Sequence, residues 1–319
     1  MTLIDRKAQV PPDLAGQRVD KVAAALFDEF SRAALSQWIA SGALQVDGRE
    51  VKPKTRLVGG EVLSLHATLE LREDWHAAQQ VDFAVVFEDP QLLVINKPAG
   101  VVVHPGAGNR DGTLVNGLLK HRPELAALPR AGIVHRLDKD TSGLLLVAGT
   151  PASYRVLTQR LQAREIERRY LALVEGVLIA GTEIDQPLGR DPRRRTLQRV
   201  RTDGRPAVTR VRVRERFRAH TLIEAELETG RTHQIRVHLS SVGHPLVGDR
   251  RYGARGRLPP APAPALVAAV RGFSRQALHA FELRLQHPQS DAPLAFAAEP
   301  PSDFLALLAE LRQDAVDAR

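Results

Sequence analysis

Gly132-Ile133-Val134-His135-Arg136-Leu137-Asp138-Lys139-Asp140-Thr141-Ser142-Gly143 sets two basic and two acidic side chains within five residues and runs directly into the apolar stretch Leu144-Leu145-Leu146-Val147. The apolar run reads as a buried strand and the polar run as the loop that enters it, an arrangement that lines a cleft. Downstream, Thr150-Pro151 opens a helix, with threonine as cap and proline in the first turn. Upstream, Phe83 to Phe87 and Leu92 to Ile95 form a predicted hairpin around Asp89-Pro90, and Thr113 to Lys120 a short helix. Further on, Val208, Val211 and Val213 alternate with basic residues, and Leu222 to Leu227 is the expected partner strand. The pattern predicts an α+β fold whose main domain holds a central mixed, mostly antiparallel sheet flanked by helices and loops, with a small N-terminal α/β domain beside it.

That small domain is read from Val19, Val22, Ala23, Leu26, Phe27 and Phe30, which recur at helical spacing, and from a second helix capped by Ser31 and ending at Gly42. Leu44 to Val51 alternates around Asp47-Gly48, a hairpin signal, and Glu61 to Leu65 follows Gly59-Gly60 as another strand. The stretch around His76-Ala77-Ala78-Gln79-Gln80 has no clear period. The expected organisation is therefore a flexible N-terminus over 1–12, a small domain over 13–70, a linker over 71–80 and the main domain over 81–319. Leu258 to Pro264 is a proline-rich surface loop.

With 43% hydrophobic residues and 26% charged, the 319-residue chain is globular in composition and long enough for two domains. A net charge of +8 calls for a polyanionic partner, nucleic acid first and an anionic membrane surface second. Twelve arginines against Asp191, Asp203 and Glu215 lie between Arg190 and Arg218, whereas 11–65 balances seven basic residues with seven acidic ones. The absence of cysteine excludes disulfides, thiol chemistry and cysteine-based zinc sites, which suits the cytoplasm. Met1 to Val10 lacks the apolar run of a signal peptide, and no stretch approaches the roughly 18 apolar residues of a membrane span, so neither secretion nor membrane insertion is expected.

Spacing alone leaves the role of Asp138 open. It is either a turn acid in a solvated loop, with Asp140 or Thr141 capping backbone groups, or half of a carboxylate pair with Asp140. The kinase loop it superficially suggests needs His-Arg-Asp uninterrupted, and here Leu137 intervenes. A second polar concentration, Glu228 to His238, is rich in phosphate- or carboxylate-binding groups, chiefly Arg231 and Arg236. His233, His238 and His244 stand five and six apart, which puts no two on one helical face, and no metal is expected. Arg49, Lys52, Lys54 and Arg56 cluster in the small domain as one RNA-facing edge or an ordinary solvated face.

Taken together these segments resemble the RluA/RluD family of RNA pseudouridine synthases along nearly the whole chain. Gly132 to Gly143 resembles the family's catalytic motif, Arg168-Arg169-Tyr170-Leu171-Ala172 its tyrosine motif and Gly230 to Leu239 its arginine motif. Gln17 to Leu65 resembles the αL RNA-binding domain first described in a small-subunit ribosomal protein. Asn96-Lys97-Pro98-Ala99-Gly100 and His104-Pro105-Gly106-Ala107-Gly108-Asn109 place the resemblance nearer the RluD branch than the RluC branch. Ser142 stands where threonine is common, and the stretch after Arg257 fits no motif of the family.

The resemblance implies an isomerase that turns uridine into pseudouridine without a cofactor, in 23S ribosomal RNA and, for the RluD branch, in the loop of helix 69. It implies Asp138 as catalytic carboxylate, Arg236 as its partner, and Tyr170 packed on the uracil. Arg136 would enter the RNA stack when the target base is extruded, with Lys139 and Arg231 near phosphates. The expected partner is large-subunit ribosomal RNA or a pre-50S particle, met by a monomer in the cytoplasm. An RluC-type or transfer-RNA enzyme and a non-catalytic assembly factor are the alternatives.

Overall fold

A computed structural model describes residues 2–28, 30, 32–69, 77–106, 108–194 and 196–318. The chain divides into two compact units, Met1–Asp74 and Trp75–Arg319. The expected linker, 71–80, lies outside the described residues as far as 76; 77–80 is irregular chain belonging to the second unit, where Asn116 donates to the Ala77 carbonyl at 2.9 Å.

The first unit holds β1 (Thr2–Gln9), α1 (Val19–Leu26), α2 (Arg32–Ala40), β2 (Leu44–Val46) and β3 (Val62–Leu69). Val19, Val22, Leu35 and Ile39 from the helices meet Leu44, Leu63 and Leu65 from the sheet in one core. Each such buried side chain contributes about 1.5–3 kcal/mol. Asp20 is buried beside this core, and Arg18 and Arg32 ion-pair with it at 2.8 and 2.9 Å.

Two expectations are corrected here. Residues 2–9, expected as part of a flexible N-terminus, form β1, paired antiparallel with β3 from Thr2↔Leu69 to Gln9↔Val62. The strand is polar apart from a few side chains, yet Ile4 and the following Val10 are buried in the core and tie it down. The turn at Asp47-Gly48 does form, with φ of 48° and 72°, but Leu44 to Val51 makes no extended hairpin. After Arg49 the chain departs towards Lys52-Pro53, where proline lacks a ladder donor, and β2 pairs with β3 instead, Leu44 opposite Leu65 and Val46 opposite Leu63.

The second unit contains β4 (Ala84–Glu88), β5 (Leu92–Lys97), α3 (Leu114–His121), β6 (Ser142–Ala148), α4 (Pro151–Ala163), β7 (Glu167–Glu175), β8 (Thr182–Asp185), β9 (Leu188–Arg190), β10 (Gln198–Val200), β11 (Val208–Arg216), β12 (His220–Leu227), α5 (Gln234–Ser241), α6 (Pro264–Gly272), β13 (Leu278–Gln286), β14 (Pro293–Ala297) and α7 (Ser302–Asp317). Nine strands form one sheet in the order β4-β5-β6-β13-β7-β12-β11-β8, with β14 on β13. Only the short β6–β13 seam is parallel among these pairings. The mixed, mostly antiparallel sheet of an α+β fold is thus present.

Both sheet faces are covered, which is why β5 and β6 read as unbroken apolar runs. One face packs Leu93, Ile95, Leu145, Val147, Ala172 and Ile223 against α3 and α5. The other packs Leu92, Val94, Leu144 and Leu146 against Leu157 of α4, and Leu173 against α6 and α7. The loop before β6, the middle of β7 and the start of α5 converge on the α3/α5 face. No described helix is long and apolar enough to cross a membrane.

Candidate active site

The loop 135–141 is held by backbone contacts rather than by side-chain packing alone. Lys97, at the end of β5, is fully buried and donates from Nζ to the carbonyls of Pro98, Val101 and Lys139 at 2.7, 3.0 and 2.9 Å. Gly100 N–H also donates to the Lys139 carbonyl, and Arg275 to that of Asp140. Burial pushes the Lys97 pKa down to about 7, a fall that the charges of Asp140 and Asp138 oppose. At the far end of the loop Gln276 donates to Thr141 Oγ1, and Ser142 Oγ hydrogen-bonds His279 Nδ1 at 2.9 Å. These satisfied polar groups fix the loop where it enters the sheet.

Asp138 sits on this fixed loop, half-buried. Its Oδ2 accepts from Arg236 Nη1 at 2.9 Å. Arg236 stands in the first turn of α5, 5% exposed, and its other edge grips Asp249, Nε to Oδ2 at 2.6 Å and Nη2 to Oδ1 at 2.9 Å. The planar guanidinium thus has one edge committed and one nitrogen aimed at Asp138. Burial works to lower the Arg236 pKa, but the hydrogen bonds and charges of Asp249 and Asp138 outweigh it and raise it. Tyr252 lies beneath the guanidinium carbon at 4.9 Å and its hydroxyl hydrogen-bonds His233 Nδ1 at 2.7 Å, while His233 Nε2 stands 3.9 Å from Asp138 Oδ1.

Tyr170 occupies the middle of β7, opposite Ala225 of β12 and Ala280 of β13. Alanine on both sides leaves room for the ring, which is 4% exposed. Burial raises the Tyr170 pKa, helped by the Asp138 charge and opposed by Arg168. Asp138, Tyr170, Arg136 and Arg231 line a common cleft of about 840 Å³, together with His104, His135, Arg164 and Arg168. A second hollow, also lined by Asp138 and Arg136, includes Lys139, His233, Arg236, Asp249 and Arg275.

The structure therefore brings together Asp138, Tyr170 and Arg236 and places Arg136, Lys139 and Arg231 at the rim, all three exposed. Arg49, Lys52, Lys54 and Arg56 are exposed on the first unit, with Arg56 tied by Nη1 to the Gly16 carbonyl. The arginine-rich stretch is less free than its composition implied. Arg201 pairs with Asp203, Arg210 with Glu183 and Glu228, Arg214 with Glu224, and Arg218 with Asp314. His238 and His244 hydrogen-bond within the fold, His238 to Thr209 and the Gln186 carbonyl and His244 to the Glu175 carbonyl. No group of three His, Cys, Asp or Glu side chains suited to a metal occurs among the described residues.

The sequence reading did not single out Asp249 or Tyr252, and named Lys97 only within the segment Asn96 to Gly100. Lys97 had one local signal, a lysine just past the apolar run Leu92 to Ile95. Asp249 and Tyr252 had none, because they reach Arg236 only through the turn after β12 and α5 are folded.

The mixed sheet carries a cleft in which a carboxylate, held by a fixed guanidinium, lies beside a buried tyrosine, an arrangement suited to an isomerase acting on RNA, and residues 91–241 match the family model described as RNA pseudouridylate synthase. The chain belongs to the RNA pseudouridylate synthase family and is an RNA pseudouridine synthase. It is 52% identical to ribosomal large subunit pseudouridine synthase D of Xanthomonas campestris pv. campestris, over 98% of this chain and 94% of that one. With the protein of the same name from Pseudomonas aeruginosa it shares 51% over 98% and 97%, and with that of Escherichia coli 46% over 96% and 94%. Among solved structures, human RNA pseudouridylate synthase domain containing 4 matches with TM-score 0.56 and 25% identity, covering 72% of this chain and 93% of that one. Human RNA pseudouridylate synthase domain containing 1 matches with TM-score 0.54 and 27% identity, covering 69% and 84%.

Proposed function

We propose that this enzyme isomerises uridines of 23S ribosomal RNA, in the loop of helix 69, as a cytoplasmic monomer acting on free RNA or a pre-50S particle. One observation carries the choice of RNA: identity near 50%, over almost the full length of both chains, with proteins named for the ribosomal large subunit.

Isomerisation breaks the bond between N1 and C1′, turns the uracil and joins C5 to C1′, so no group donor or redox partner enters the balance. Asp138 is the carboxylate that meets the sugar, either by attack at C1′ or by removing the 2′ proton. Arg236, itself held by Asp249, keeps that carboxylate in one orientation. Tyr170 packs on the uracil. Arg136 at the rim fills the gap in the RNA stack that base extrusion leaves, a step costing a few kcal/mol that phosphate contacts by Lys139, Arg231 and the basic edge Arg49, Lys52, Lys54 and Arg56 offset. The first unit serves as the αL RNA-binding domain.

The test is to incubate the purified protein with unmodified 23S rRNA and map carbodiimide-blocked reverse-transcription stops. Stops in the helix 69 loop are expected with the wild type. Asp138→Asn should lower the rate at least about 10⁴-fold, the scale on which removal of one essential catalytic group acts, while binding the RNA as before. Stops elsewhere in the RNA, or in transfer RNA only, would overturn the target, and retained turnover in Asp138→Asn would overturn the mechanism.

A further inference from the structure

Two adjacent arginines on β7 have opposite surroundings. Arg169 points to one face and lies within 4 Å of carboxylate oxygens from Glu167, Glu224, Glu226 and Glu282. Arg168 points to the other, the face of Tyr170, and among the described residues no carboxylate reaches ion-pair distance of it. It is nonetheless 93% buried, being 7% exposed. Its Nε is shielded from solvent and has no partner, and its Nη2 reaches only the Leu227 carbonyl at 3.5 Å.

Burying a cation without an anion costs several kcal/mol, so such a group points to a ligand not yet present. The surroundings agree. Gly230 lets backbone lie against the guanidinium; a Cβ there would stand 2.9 Å from Arg168 Nη1. His135 accepts from Leu146 N–H at Nε2, so the neutral ring carries its proton on Nδ1, and Nδ1 is likewise shielded and without a partner. Burial, with Arg168 adding to it, pushes the His135 pKa down to about 3 and keeps the ring neutral. Both residues line the cleft beside Tyr170, each with an unused donor.

RNA phosphates would be met at the rim, where Lys139 and Arg231 are exposed. The anion that reaches the depth of Tyr170 is one the reaction makes. When the glycosidic bond breaks, its electron pair leaves with N1, while C1′ is captured by an Asp138 oxygen or the sugar gives its 2′ proton to Asp138. The uracil then bears one negative charge, shared among N1, O2 and O4, until C5 bonds to C1′ as the C1′–O bond to Asp138 breaks, or as Asp138 returns its proton to C2′, and the C5 proton passes to N1.

We propose that Arg168 binds the uracil oxygen on which this charge accumulates and so stabilises the leaving group. The inference rests on the chemistry proposed for Asp138. It assigns to Arg168 what Arg236, already engaged by two carboxylates, does not supply.

The test compares single-turnover consumption of target uridine and of 5-fluorouridine at the same position, using Arg168→Met, Arg168→Lys and Asp138→Asn. Fluorine withdraws charge from the same anion and lessens the need for the arginine. Arg168→Met should lose about 10²–10³-fold on uridine, as removal of one donor to a developing anion does, and at least tenfold less on 5-fluorouridine. Arg168→Lys should fall between. RNA Kd should stay within about twofold and Tm stay level or rise, since an apolar side chain replaces an uncompensated charge. Equal losses on both substrates, or a lowered Tm, would assign Arg168 a structural role and overturn the inference. A weaker Kd with a shallower salt dependence would make it a phosphate contact and also overturn it. Activity of Asp138→Asn on either RNA, or an inactive wild type, would instead bring down the functional reading beneath it.

Discussion

Arg236 is useful because its three nitrogens are divided: Nε and Nη2 bind Asp249 side-on, and Nη1 is left to meet one oxygen of Asp138. Asp249 is 3% exposed, and both of its oxygens accept from Arg236. Asp249→Asn keeps the shape but removes the charge and one acceptor, freeing the guanidinium to turn. The chemical step should slow about 10²-fold, the cost of a misplacement near 1 Å, with the RNA Kd unchanged. An unaltered single-turnover rate would show that Asp138 holds its orientation without this support. Asp138, Tyr170 and Arg236 were legible because each stands in a motif with a family counterpart. Asp249 was not, since a lone acid in Val247-Gly248-Asp249-Arg250 has no period or spacing to mark it, and only the fold sets it opposite Arg236.

At the scale of elements, the site depends on the seam between β6 and β13, where Ser142 and Gly143 lie beside His279 and Ala280. Gly143 has φ of 114°, and a Cβ there would come within 2.2 Å of the Ala280 carbonyl oxygen. The glycine is required both by conformation and by the close approach of backbone, one residue after the serine that bonds His279. Gly143→Ala should cost about 3 kcal/mol from left-handed strain plus overpacking, measured by urea denaturation, and activity should fall with it as the loop 135–141 shifts. A stability within 0.5 kcal/mol of the wild type, the scale of an ordinary surface substitution, would mean the seam opens freely. Most elements could be read beforehand where alternation or an apolar run was strong, as for β5, β6, β11 and β12. The strand β1 could not, because Asp5, Arg6 and Lys7 blur its period, and its membership of a sheet follows from pairing with β3 across some sixty residues of sequence.

At the scale of the molecule, the net charge of +8 is not spread as the arginine count suggested. Along β11 Arg210 and Arg214 pair with Glu183, Glu224 and Glu228, which removes much of their charge from any approaching RNA. The first unit is the reverse: its total is near neutral, but Arg49, Lys52 and Lys54 are exposed on one stretch of chain. An RNA footprint that includes this stretch gains its free energy from counterion release, which depends on the number of phosphates met and not on net charge. Arg49→Ala, Lys52→Ala and Lys54→Ala combined in the full-length enzyme should therefore weaken binding to 23S rRNA. The slope of log Kd against log salt should also become shallower by about 2, since each phosphate contact contributes roughly 0.7–0.9. At saturating RNA the rate of the chemical step should be unchanged, because none of the three lines the cleft that holds Asp138. A triple variant with the wild-type slope would place the footprint wholly on the second unit, at Arg136, Lys139 and Arg231.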